Sequence, residues 1–108
     1  MNTRLTPWSS HEYPTQEALI ELMHAQGLSP YLWTNAPHDV YTAHSHTYDK
    51  VVYCVTGSIT FGLPDEHRQL ALHPGDRLDL PAGIVHDAVV GSDGVVCLEA
   101  HTVGLSKS

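Results

Sequence analysis

His44 and His46 stand one residue apart, and His86 follows at the end of the run Gly75-Asp-Arg-Leu-Asp-Leu-Pro81-Ala-Gly83-Ile-Val-His86. Three imidazoles brought to one point make a metal site, because neutral imidazole suits zinc, copper, iron and nickel whereas magnesium and calcium prefer oxygen. In an extended strand, side chains at i and i+2 leave the same face roughly 6.5 to 7 Å apart, so His44 and His46 could ligate one ion together. His86 comes after a Pro-x-Gly turn and is expected near the start of another strand, closing the triangle from the opposite side. Two neighbours carry further chemistry. Asp49 could supply a carboxylate to the same ion, aimed inward by the turn after His46. Lys50 is a candidate catalytic base, acid or substrate clamp if it points into an enclosed space; the competing reading is an outward or snorkelling side chain paired with Asp49. Further along, Glu99 and His101 share one strand face with Cys97, which fits a support for the metal ligands or a proton relay, or else an exposed or interface pair.

The elements that would hold these residues are mostly short strands. From Ser29 onward, runs rich in Val, Tyr, Ile and Leu recur between Gly, Pro and Asp turns: 31–34, 40–46, 50–55, 58–61, 69–72, 77–80, 86–90 and 95–102. Gly62-Leu-Pro-Asp65 and Ser92-Asp-Gly94 have the composition of hairpin turns. Ahead of them, Leu19, Leu22 and Met23 fall at helical spacing within Thr15 to Gln26, and Gly27 stands as a stop. Residues 1–14 hold two prolines and no sustained period, and read as an extended arm. The expected organisation is an arm and helix over 1–30 packed on a β-domain over 31–108 that ends in a short patternless tail. Strands without an intervening helix argue for a closed or two-sheet all-β structure.

The two histidine-bearing segments together resemble the cupin family. The first family motif runs Gly, five residues, His-x-His, three or four residues, Glu, six residues, Gly; here His44, His46 and Gly57 match it. The second runs Gly, five residues, Pro-x-Gly, two residues, His, three residues, Asn; Gly75, Pro81, Gly83 and His86 fall at its offsets. Lys50 replaces the motif glutamate, Val90 the asparagine and His38 the leading glycine. The resemblance implies a jelly-roll β-barrel with one divalent ion held inside by His44, His46 and His86. Ammonium cannot ligate a cation. At about 5 Å, its charge would repel a divalent ion by roughly 6 to 7 kcal/mol at an effective dielectric near 20. Three readings stay open: a three-histidine site with open positions, as in the cupin dioxygenases; a site completed by Asp49; and a metal-free barrel whose histidines line a ligand pocket. The expected function is a small metal-binding cupin acting on a small organic molecule by dioxygenase- or isomerase-like chemistry, with iron, zinc or nickel. The alternative is a non-catalytic small-molecule binding or sensing domain.

Composition narrows the partners. A chain of 108 residues is one domain. Its formal charge of −7 disfavours a nucleic-acid partner, which needs phosphate neutralisation. No run approaches the eighteen or so apolar residues of a membrane helix, and the start of the chain lacks the apolar stretch of a secretory signal, so the expected compartment is the cytoplasm. Cys54 and Cys97 are too few for a disulfide framework and read as small buried fillers. Of nine histidines, His11, His24, His38, His67 and His73 read as bystanders on tail, helix or turn. Trp8 and Tyr13 give the arm apolar surface with no evident place in a small barrel, which together with exposed strand edges predicts a homodimer.

Overall fold

The computed structural model describes residues 2–102, so the expected tail over 103–108 lies outside the described residues. Strands dominate: β1 (Arg4–Thr6), then the helix α1 (Gln16–Ala25), β2 (Tyr31–Asn35), β3 (Val40–His44), β4 (Lys50–Leu63), β5 (Arg68–Leu72), β6 (Arg77–Leu80) and β7 (His86–His101). All pair antiparallel in one seven-stranded sheet, in the order β1-β6-β4-β7-β2, with β3 added to β7 and β5 to β4. Among the described residues the two ends of that path do not pair with each other. No described helix is long and apolar enough to cross a membrane.

The main difference from the sequence-based expectation lies in β4 and β7. The runs 50–55 and 58–61 form one strand, and 86–90 and 95–102 belong to another that reaches His101. These two strands pair along their whole length, from Lys50 against His101 to Gly62 against Asp87. Gly57 lies opposite Val95 while Ile59 lies opposite Val90, so the intervening residues of β7 are taken up as a bulge. Ser92-Asp-Gly94 is therefore not a hairpin turn. Gly57 has φ +75°, and a Cβ there would collide with the Gly94 carbonyl; glycine is what lets the strands bend at this level. The bend divides the far edge of β7, whose first half carries β3 and whose second half carries β2.

Period-two alternation then builds two apolar layers. Val52, Cys54, Ile59 and Phe61 of β4 join Leu72, Leu78 and their neighbours in an inner core. Val51, Tyr53 and Val55 face the other way, with Leu98 and Ala100, beneath Leu19 and Met23 of α1. The helix is bounded where its end signals place it. Thr15 accepts the Ala18 N–H at 3.1 Å, and beyond the last turn Gly27 donates to the His24 carbonyl and Leu28 to that of Met23. With Gly27 at φ +79° and Leu28 buried beside Met23, this is a Schellman stop.

The arm is structured. β1 lies against β6, Leu5 opposite Leu78. The Trp8 N–H donates to Asp76 Oδ1 at 3.0 Å, and its ring sits where a Cβ on Gly75 would be. Trp8 thus has a place within its own chain; Tyr13 remains 66% exposed.

Candidate metal and ligand site

β3 ends at His44, so His46 lies two residues past the strand rather than within it. Tertiary hydrogen bonds replace strand geometry in placing it. The His46 carbonyl accepts the Gly83 N–H at 2.8 Å, and Asp49 Oδ1 accepts the Ala82 N–H at 2.8 Å, which staples the Pro-x-Gly turn onto the histidine loop. Across β3 and β7, His44 and His86 are direct register partners. His86 opens β7, as expected.

One ligating nitrogen from each of His44, His46 and His86 lies within 4.8 Å of the others. Each ring has its Nδ1 engaged. His44 donates to the Thr42 carbonyl at 2.6 Å and His86 to the Ile84 carbonyl at 2.9 Å, while His46 Nδ1 is 3.1 Å from the Tyr48 hydroxyl. A Nδ1–H given to a carbonyl leaves Nε2 as the lone-pair nitrogen, the usual way a metal-ligating imidazole is oriented. His86 is 2% exposed and its Nε2 has no partner. An orphaned buried acceptor costs about 1 to 3 kcal/mol, a cost that a cation in the triangle would remove. Burial first, then the Lys50 charge and the neighbouring imidazoles, holds His46 below the ordinary histidine range. His86 is lowered chiefly by burial, against the Ile84 hydrogen bond and with help from Lys50. Both effects favour the neutral, ligating form.

The triangle opens into a cavity of about 340 Å³. Aromatic rings of Tyr31, Trp33, Tyr41, Tyr48 and Phe61 form much of its wall, and Lys50 and Glu99 are its two charged members. Lys50, at the start of β4, is 7% exposed. It shares the inward face with Val52, and its Nζ lies 3.6 Å from Glu99 Oε1. The alternative pairing with Asp49 is not formed, since that carboxylate is turned to the Ala82 N–H and lies outside the histidine cluster.

Glu99, 5% exposed, is the hub of a network. Its Oε1 accepts from Trp33 Nε1 at 3.1 Å, and its Oε2 from the Tyr31 hydroxyl at 2.7 Å and His101 Nε2 at 2.8 Å. Burial alone would raise this carboxyl's pKa; the Lys50 charge and the Tyr31 and His101 hydrogen bonds outweigh it and hold the group below the usual carboxylate range. Glu99 is thus buried beside the cavity, while its partner His101, with a side chain 38% exposed, stands at the surface. Trp33 and Tyr31 were not among the expected site residues. The signal was their i, i+2 spacing, which puts both on one face of β2, opposite Cys97 and Glu99. Tyr41 and Tyr48 line the cavity as well, whereas Tyr53 faces away from it to Gln26 and Arg77.

The other histidines and the two cysteines lie away from the triangle. His11, His24, His38, His67 and His73 are exposed and outside the cluster. His38, where the family pattern has glycine, adopts φ +67°. Cys54 and Cys97 are free, buried and opposite each other on β4 and β7. Contact with Cys54 and burial push the Cys97 thiol far up, which makes it inert as a nucleophile.

No sequence-family model and no curated protein matches the chain. Solved structures do. KdgF from Halomonas sp. is 28% identical over 68% of this chain and 68% of its own, with a TM-score of 0.57. The polyketide cyclase RemF from Streptomyces resistomycificus is 24% identical over 68% of this chain and 54% of its own, with a TM-score of 0.59. A cupin superfamily protein from Desulfitobacterium hafniense is 13% identical but spans 94% of this chain and 78% of its own, with a TM-score of 0.61. The chain has the fold of the cupin superfamily proteins, and that fold brings its two histidine segments together.

Proposed function

We propose that the protein is a metal-dependent cupin in which His44, His46 and His86 hold one divalent transition ion and a small organic molecule reacts in the adjoining cavity. The carrying observation is the buried, partnerless Nε2 of His86 within a triangle of otherwise oriented imidazoles. When bound, iron, zinc or nickel would supply Lewis acidity, and iron also redox chemistry, to a substrate oxygen. The chain's own residues do the rest. Thr42 and Ile84 carbonyls fix two of the rings, the aromatic wall gives the cavity an apolar lining, and Lys50 stands close enough to the reacting space to steady charge there. Dioxygenase- or isomerase-like chemistry fits a site with open positions beside three histidines. The likeness to a polyketide cyclase supports a small organic substrate. We read the bent sheet as a jelly-roll barrel formed from residue 31 onward, covered by the arm and helix of 1–30. We read the protein as a homodimer through its exposed apolar residues, among them the cross-strand pair Val40 and Val89.

One observation favours a second reading, a cavity that binds or senses a small molecule without catalysis: Lys50 occupies the place of the family's fourth ligand. Equilibrium dialysis of chelator-stripped protein against Zn(II), Fe(II) and Ni(II) separates the two. The metal reading requires one ion per chain for at least one of them and a loss of affinity of roughly tenfold or more in His86→Ala. No ion bound by the wild type would leave the sensing reading in possession.

A further inference from the structure

Of the two charged side chains in the cavity wall, one is fully engaged and the other is not. Glu99 takes hydrogen bonds from Trp33, Tyr31 and His101, with the Lys50 charge beside them. Lys50 Nζ has a single charged neighbour at 3.6 Å, beyond hydrogen-bond reach, and the Phe61 ring at 6.0 Å, the outer limit of a cation–π contact. An ammonium carries three N–H donors and no acceptor. A lysine that is 7% exposed, with no hydrogen bond among the described residues and its donors in a cavity of about 340 Å³, is a built receptor for an acceptor brought from outside.

The surroundings specify that acceptor. Glu99 offers little to an incoming donor, because both its oxygens are occupied, so the recognition group for a ligand's polar end is the lysine. An oxyanion satisfies it better than a neutral carbonyl, since hydrogen bonds between charged partners are roughly twice as strong as neutral ones. The rest of the ligand meets five aromatic rings together with Ile59 and Ala88, a wall suited to a flat unsaturated frame. The volume lies at the small end of the range of about 300 to 1,000 Å³ for ligand sites, which suits a small molecule.

We propose that Lys50 anchors the charged oxygen of a small planar conjugated oxyanion, a carboxylate or enolate on an aromatic or unsaturated frame, within the aromatic-walled cavity. This deepens the functional reading above by naming its substrate class. It rests on that reading only in taking the same cavity as the ligand site, and needs no metal.

The test is calorimetric titration of metal-free protein with benzoate and with its neutral isostere benzamide. The wild type binds benzoate more tightly by roughly tenfold or more, the worth of one hydrogen bond to a charged group. Lys50→Met keeps most of the side-chain stem and erases that preference, leaving both compounds at the benzamide level. Should the single variant fold poorly because Glu99 is left as an unpaired buried charge, Lys50→Met with Glu99→Gln removes both charges together and is expected to erase the preference equally. The ratio of the two affinities is the readout, because a general loss of structure weakens both compounds alike. Equal affinities in the wild type, no binding of either compound, or a preference that survives in the folded variants overturns the proposal. Because the titration is run without metal, a wild type that fails to bind zinc contradicts the metal reading while this comparison stands.

Discussion

Lys50 and His86 define the site at the scale of single residues, one as an added charge and the other as an unsatisfied lone pair. Lys50→Glu tests their relation. In the metal-free protein the new carboxylate would face Glu99 in place of a cation, so the apoprotein should lose about 3 to 5 kcal/mol in chemical denaturation, the scale of a broken buried pair. Zinc should bind this variant more tightly than wild type, because a ligating charge replaces a repelling one. Unchanged zinc affinity would mean that the position does not look at the ion. His38, held at φ +67° where the family pattern has glycine, is a second test. His38→Gly should leave metal affinity unchanged and raise the thermal midpoint, by relief of up to about 1 kcal/mol after the entropy cost of glycine. The histidine triad was legible in the sequence because its spacing is local to two short segments. Whether Lys50 faced inward was not: alternation tells which residues share a face but not which face is inside. Asp49 was no better resolved, since its choice between an ion and the Ala82 N–H depends on a turn thirty-odd residues away.

Among the elements, β4 and β7 carry the architecture, and the sequence misdivided both. Gly57-Ser58 and Gly91-Ser-Asp-Gly94 have the composition of turns, but a β-bulge and a hairpin draw on the same residues. What decides between them is the partner strand, and that is a long-range fact: β4 runs beside β7 across the whole interruption. For the same reason Tyr31 and Trp33 reach Glu99 and the cavity wall only through their register with β7. The helix was legible almost to the residue because its signals, Thr15 at one end and Gly27-Leu28 at the other, are local. Its contribution comes from burial on the outer face of the sheet. Leu19→Ala, at a fully buried position, should cost about 2 to 5 kcal/mol in urea denaturation while leaving metal stoichiometry intact in the folded fraction. Loss of metal at full stability would show that α1 reaches the site, contrary to its packing against Val51, Tyr53 and Leu98.

For the whole molecule, the buried titratable groups predict an acid response. His46 and His86 have pKa values below the unfolded value of 6.5, so between that value and their folded values the unfolded chain binds more protons. Metal-free protein should therefore be at full stability above about pH 6.5 and lose it as the pH falls, by at most about 1.4 kcal/mol per pH unit for each histidine. Glu99, lowered from 4.5, adds a second loss further into acid. Denaturant midpoints against pH check this, and a curve flat from pH 7 to 5 would contradict it. In sedimentation, association through the exposed apolar face predicts a species of twice the 11.8 kDa chain mass at micromolar concentration; a monomer would refute the dimer. The central claim is that three imidazoles form a metal centre. Its most direct test is element-resolved metal analysis of wild type and His86→Ala, prepared side by side without chelator or tag-derived nickel. The account predicts close to one transition-metal ion per wild-type chain and a content far below that in the variant. Equal contents in the two, or none in the wild type, would contradict it.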